Sequence, residues 1–108
     1  MRGKVPDDFY RSRRWAGIRR SALVRDRFVC QECARFGKRI AADTVHHILP
    51  RIEFPEYQWT MWNLVSLCRD CHDAMHDRNT NALSIRGVEL LKRIARKRGV
   101  ELPLRYRD

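Results

Sequence analysis

The ten residues Leu67-Cys68-Arg69-Asp70-Cys71-His72-Asp73-Ala74-Met75-His76 decide how this chain is read. They set a C-x2-C pair directly before two histidines spaced i, i+4. A second pair, Cys30-x2-Cys33, stands upstream, with 34 residues between the two knuckles. Four thiolates at this spacing suit tetrahedral zinc, with Zn–S distances of about 2.3 Å. The expectation is a closed structural Zn2+ site held by Cys30, Cys33, Cys68 and Cys71, a metal that holds the fold and does no chemistry. It clamps the ends of a long excursion, at an entropic cost that grows only logarithmically with loop length. Two disulfides are the alternative. Residues 1–8 are polar and charged with no apolar stretch behind them, so no secretory signal is expected, and in a reducing cytoplasm disulfides rarely persist.

All four histidines, His46, His47, His72 and His76, fall within or just after the clamped segment. On a helix, His72 and His76 project from one face one turn apart and can share a metal ion. A lone histidine is more often a hydrogen-bonded structural residue than a ligand. Four gathered around one unit point instead to a second metal site.

Working outward, 108 residues allow one small domain, 1–108, whose thin core calls for reinforcement. The net charge of +10 is unevenly placed. Residues 1–27 hold nine Lys+Arg against three acids, residues 86–108 eight against three, and residues 28–85 six against seven. Basic arms thus flank a nearly neutral centre. A single Arg-rich helix is often just a solvated face, but two such arms favour a polyanionic partner, nucleic acid above all. No apolar run approaches the roughly 18–20 residues a membrane helix needs.

Trp15, Ile18, Ala22 and Leu23 recur at helical spacing, which predicts an amphipathic helix over 12–26 with Ser12 as N-cap. Ile85, Val88, Leu91, Ile94 and Ala95 predict another over 84–98, stopped by Gly99 and Pro103. Lys38–Ala42 and Thr44–Leu49 read as brief strands, 50–60 as a loop, 62–67 as an apolar run, and 69–76 as the start of a short helix. The coarse order is α, β, β, α, α.

Val45-His46-His47-Ile48-Leu49-Pro50, then Trp62-Asn63-Leu64, then the Cys68–His76 stretch together resemble the HNH endonuclease family, with His47, Asn63 and His72 matching its three name-giving residues. The resemblance runs from Cys30 to His76 and includes both knuckles, giving a motif core of about 30–76. It implies an α+β fold: a small ββα-metal (His-Me finger) core with a four-cysteine structural zinc, flanked by the N- and C-terminal basic helices. By the same resemblance His46, His72 and His76 are ligands of a catalytic divalent metal, Mg2+, Mn2+ or another transition metal. His47 is the general base, and Asn63 hydrogen-bonds the loop backbone to hold His47. Many members carry Asp where His46 stands; imidazole suits transition metals and carboxylate suits magnesium. Adjacent strand residues point to opposite faces, so His46 and His47 can serve one phosphate only where the strand ends or bulges.

The implied activity is metal-assisted phosphodiester hydrolysis of DNA, in which neutral His47 takes a proton from the attacking water. Activity is expected to rise from acid towards neutral pH. Arg51 is a candidate phosphate contact or else a solvated loop arginine, and Arg19 and Arg20 of the first helix are further candidates for contact with DNA. The partner is double-stranded DNA held with weak sequence specificity, and the small freestanding members this chain resembles are bacterial or phage-encoded. One such unit holds one phosphate, so a monomer is expected to nick one strand per encounter. The rival reading is a non-catalytic zinc module that only binds nucleic acid; it explains the charge and the cysteines but not the company His47 and Asn63 keep with the other histidines.

Overall fold

The computed structural model describes residues 8–107. Helix α1 spans Arg13–Arg25, and the Ser12 hydroxyl accepts the Trp15 amide at 3.0 Å, the N-cap expected from sequence. The helix buries Trp15, Ala22 and Leu23. It ends where Arg27 and Phe28 take left-handed backbone conformations, which turn the chain sharply into the first knuckle. There Cys30 caps a short helix α2, Gln31–Arg35, absent from the sequence-based order.

The expected strand at Lys38–Ala42 does not form. Only Ala41 bridges to Val29, flanked by Cys30 N–H to Ile40 O (2.7 Å) and Ala42 N–H to Phe28 O (2.8 Å). The left-handed pair at Arg27 and Phe28 leaves too little extended chain opposite for a ladder. The true hairpin pairs β1, Thr44–His47, antiparallel with β2, Leu64–Leu67, in the register Thr44↔Leu67 to His47↔Leu64. The apolar run at 62–67 therefore supplies the second strand.

Directly opposed residues share a face, and alternate residues switch faces. Leu64, opposite His47, packs with Trp15 and Ala22 under α1. On the other face, Val65, opposite His46, packs against the larger core of Leu49, Phe54, Leu67, Met75, Leu90 and Leu91. Helix α3, Arg69–Ala74, follows β2 directly, and α4, Ile85–Arg98, closes that core. Helix α4 starts at a Ser84 cap and ends at Gly99, whose φ of 69° suits glycine at this helix stop. It comes so close to the end of α3 that a Cβ at Gly87 would overlap the Met75 carbonyl oxygen. Buried Glu32 ties the first knuckle to α4, pairing with Arg35 at 2.9 Å and Arg93 at 3.3 Å.

This is the ββα arrangement with a cysteine cluster, flanked by basic helices. No helix among the described residues is long and apolar enough to cross a membrane.

Candidate active site and metal centres

The four cysteines come from two places, Cys30 and Cys33 around the start of α2, Cys68 and Cys71 around the start of α3. Their sulfurs all lie within 4.8 Å of one another, and none is in a disulfide. Cys33 Sγ is 3.7 Å from Cys71 Sγ and 3.9 Å from Cys68 Sγ. A tetrahedron with Zn–S of about 2.3 Å has edges of about 3.8 Å, so the donor set fits a zinc ion. The Cys33 amide also points at Cys30 Sγ at 3.4 Å, a contact that favours a thiolate.

The second cluster joins His46 of β1 to His72 of α3 and His76 beyond it, again with donor atoms within 4.8 Å. Ring centroids are 5.5, 5.4 and 5.4 Å apart, a near-equilateral tripod. His46 is 3% exposed, and its Nε2 has no hydrogen-bond partner among the described residues. A buried nitrogen lone pair left bare is costly, and a metal ion is the group that would satisfy it here. Burial, reinforced by the neighbouring His72, His76 and His47, holds His46 neutral with a pKa of about 3. His72 is pushed down too, first by burial and then by His76, which outweigh nearby Asp73 and Asp43. Neutral imidazole is the form that binds metal.

His76 does not lie on the helix expected to carry it. The carbonyls of the last turn of α3 are taken up by Ser84, whose hydroxyl donates to Ala74 O (2.6 Å) and whose amide donates to Met75 O (2.8 Å). The helix stops at Ala74, and His76 enters a bridge with Leu83. Its Nδ1–H donates to Asn81 O at 3.3 Å, which leaves Nε2 as the nitrogen with a lone pair for a metal.

His47 lies on the other face, stacked on Trp15 with centroids 5.1 Å apart and planes 22° apart. Its Nε2 is 3.0 Å from the Gln58 carbonyl. A carbonyl only accepts, so Nε2 carries the proton and Nδ1 keeps its lone pair. Nδ1 faces the Tyr10 hydroxyl at 3.4 Å. Burial lowers the His47 pKa, more than the Gln58 hydrogen bond raises it. The strand alternation holds and β1 ends at His47 with no bulge, the strand end that the sequence reading requires; among the described residues it pairs with β2 alone, and its four residues all line a cleft of about 800 Å³, so histidines of both faces reach the same space.

Asn63 is fully buried and pins the connection between the strands. Its Oδ1 accepts the Leu49 amide at 2.7 Å, and its Nδ2 donates to Leu49 O at 3.1 Å and Tyr57 O at 3.2 Å. Tyr57 precedes Gln58, so the clamp fixes the carbonyl that holds His47.

Arg51 and Arg19 line the cleft. The Arg51 guanidinium sits over Phe9 at 4.3 Å and Tyr10 at 5.2 Å, while Arg19 donates to Asp43 O at 2.8 Å. Arg20 stands apart, exposed beside Gly17, Ser21 and Val24. Sequence reasoning missed Tyr10 and Gln58. Gln58 acts through its backbone and leaves no residue signal, while Tyr10 lies outside every motif.

A hairpin and a short helix that bring a histidine tripod and a carbonyl-anchored fourth histidine to one cleft define a ββα-metal nuclease. The HNH endonuclease family model matches residues 30–78. The chain is also similar to the manganese-bound HNH endonuclease of the deep-sea thermophilic bacteriophage GVE2, with 38% identity and a TM-score of 0.59 over 60% of this chain and 71% of that one. No match is found among the curated proteins. The chain belongs to the HNH endonuclease family and is a metal-dependent endonuclease.

Proposed function

We propose that this protein hydrolyses phosphodiester bonds in double-stranded DNA, nicking one strand per encounter as a monomer built of one domain, with weak sequence specificity. The observation that carries the reading is the placement of His47, one nitrogen tied to a carbonyl and the other open to a cleft shared with His46, His72 and His76. In this reading Nδ1 of His47 takes the proton of the attacking water, and the Gln58 carbonyl steadies the imidazolium that forms. Arg51 and Arg19, on the cleft wall, draw the phosphate in. His46, His72 and His76 would hold the catalytic divalent cation, which supplies Lewis-acid stabilisation of the phosphorus centre and the leaving oxygen. Three imidazoles with no carboxylate favour Mn2+ or another transition metal over Mg2+. The four cysteines would hold Zn2+. The +10 charge supports a polyanionic partner and a steep dependence of binding on salt.

Supercoiled plasmid, incubated with Mn2+ or Mg2+ with and without chelator, tests the proposal. Open-circular DNA should accumulate before linear, and chelator should abolish both. His47→Ala should stop cleavage while metal uptake at the histidine site persists, whereas His72→Ala should weaken both. Retention of plasmid without any cleavage would favour a binding module instead. Linear product with no open-circular phase would indicate paired active sites.

A further inference from the structure

We propose that the Tyr10 hydroxyl, with Nδ1 of His47, orients the attacking water; the inference rests on the nuclease reading above and extends it to a residue outside the family motif. The 3.4 Å between Tyr10 Oη and His47 Nδ1 makes a long, weak direct hydrogen bond, well beyond the roughly 2.7–2.8 Å common for a hydroxyl. The same spacing lets one water sit about 2.8 Å from both atoms. The pair thus forms a two-point cradle at the nitrogen left unprotonated by the Gln58 contact.

The tyrosine is held for this task. Its ring meets Trp15 edge-on at 5.4 Å and 89°, and Phe9 at 5.0 Å, and the Arg51 guanidinium lies 5.2 Å from its centroid. Phe9 in turn stacks on Trp59 at 4.3 Å. These contacts fix the turn Asp8–Arg11 against the cleft that contains Tyr10, His47 and the tripod. Tyr10 is about half exposed, and its partial burial still pushes the phenol upward, so it stays a neutral donor and acceptor at working pH.

In the step, the water gives one hydrogen to Nδ1 and directs the other at Tyr10 Oη, leaving a lone pair aimed at phosphorus. The O–H bond on the Nδ1 side breaks as N–H forms. The water oxygen bonds to phosphorus, and the sugar oxygen leaves with its electron pair and is protonated from solvent. The tyrosine neither gains nor loses a proton.

Tyr10→Phe removes the hydroxyl and keeps the ring contacts. On supercoiled plasmid under single-turnover and steady-state conditions, it should lower kcat about 10-fold with KM within about twofold of the parent protein. The long-range 1H–15N spectrum of His47 supplies a readout independent of cleavage: the variant should shift the Nδ1 resonance while the Nε2–H tautomer persists. A kcat within about twofold of the parent, or one that rises because the hydroxyl had blocked Nδ1, overturns the proposal, as does a loss expressed only in KM. Parent protein inert towards plasmid would overturn the nuclease reading, whereas active parent with an unimpaired variant overturns the role of Tyr10 alone.

Discussion

Replacing Asn63 by alanine tests the chain of contacts that runs from the buried amide to the base. The change deletes three hydrogen bonds, at 2.7, 3.1 and 3.2 Å, in a site with no exposure. Each is worth about 1 kcal/mol net, and stranding the Leu49 amide beside fully buried Leu49 adds about 1 kcal/mol or more. The expected loss is about 4 kcal/mol or more, a large fraction of the roughly 5–15 kcal/mol that holds a domain together. Urea denaturation of the metal-loaded protein measures it as a lower midpoint at unchanged slope. Tyr57 and Gln58 are adjacent, so the freed loop also lets the Gln58 carbonyl drift, and His47 loses its fixed tautomer and orientation. Single-turnover cleavage, under conditions where the variant is still folded, should slow about 100-fold, the effect of misplacing a reacting group by about 1 Å. A variant that unfolds within about 1 kcal/mol of the parent and cleaves within about threefold of its rate would refute both halves of the reasoning.

Three further outcomes are expected. Mass spectrometry of the parent protein should find about one zinc, and Cys68→Ser should lose it and unfold or aggregate; a folded, zinc-free variant would count against the clamp. Gly87→Ala should lower the melting temperature by about 10 °C or more, because the added methyl overlaps the backbone oxygen of Met75 with Leu83 Cδ2 only 2.9 Å away, and an unchanged melting temperature would mean that α4 is free to shift. Burial lowers the His47 pKa and so favours its neutral form, which keeps the base competent as pH falls; the acid limb of kcat/KM should therefore lie below the ordinary imidazole value of about 6.5, and a limb above it would contradict that burial.

The parts of the molecule legible in the sequence are those whose chemistry is local. Cys30, Cys33, Cys68 and Cys71 announce themselves by spacing, and the two long helices by periodicity and by Ser12 and Gly99 at their ends. His46 and His47 are recognisable as a pair, but their shared cleft depends on β1 being an edge strand, which follows from the whole topology. The strand expected at Lys38–Ala42 fails for a related reason: its own residues tolerate extension, but the left-handed turn at Arg27 and Phe28 removes its partner. His76 keeps its place near His72 although the helix ends before it, because Ser84, distant in sequence, captures the carbonyls of the final turn. Arg19 and Arg20 look alike in sequence, yet one reaches the cleft and the other stands clear of it, since consecutive helical residues point about 100° apart.

Cys71 and His72 are neighbours on α3, so a single peptide bond joins the thiolate centre to the imidazole centre. The two sites are consequently not independent compartments for metal. A chain starved of the thiophilic ion would fail to set the turn on which His72 stands, and supplying the second cation in excess would not restore work at the cleft. Loading is expected to run in sequence, thiolates first and imidazoles second, and a titration that strips the first ion should extinguish both centres together. The thiolate ion would thereby act as a check on the second centre, which could not be filled until the fold around it was finished.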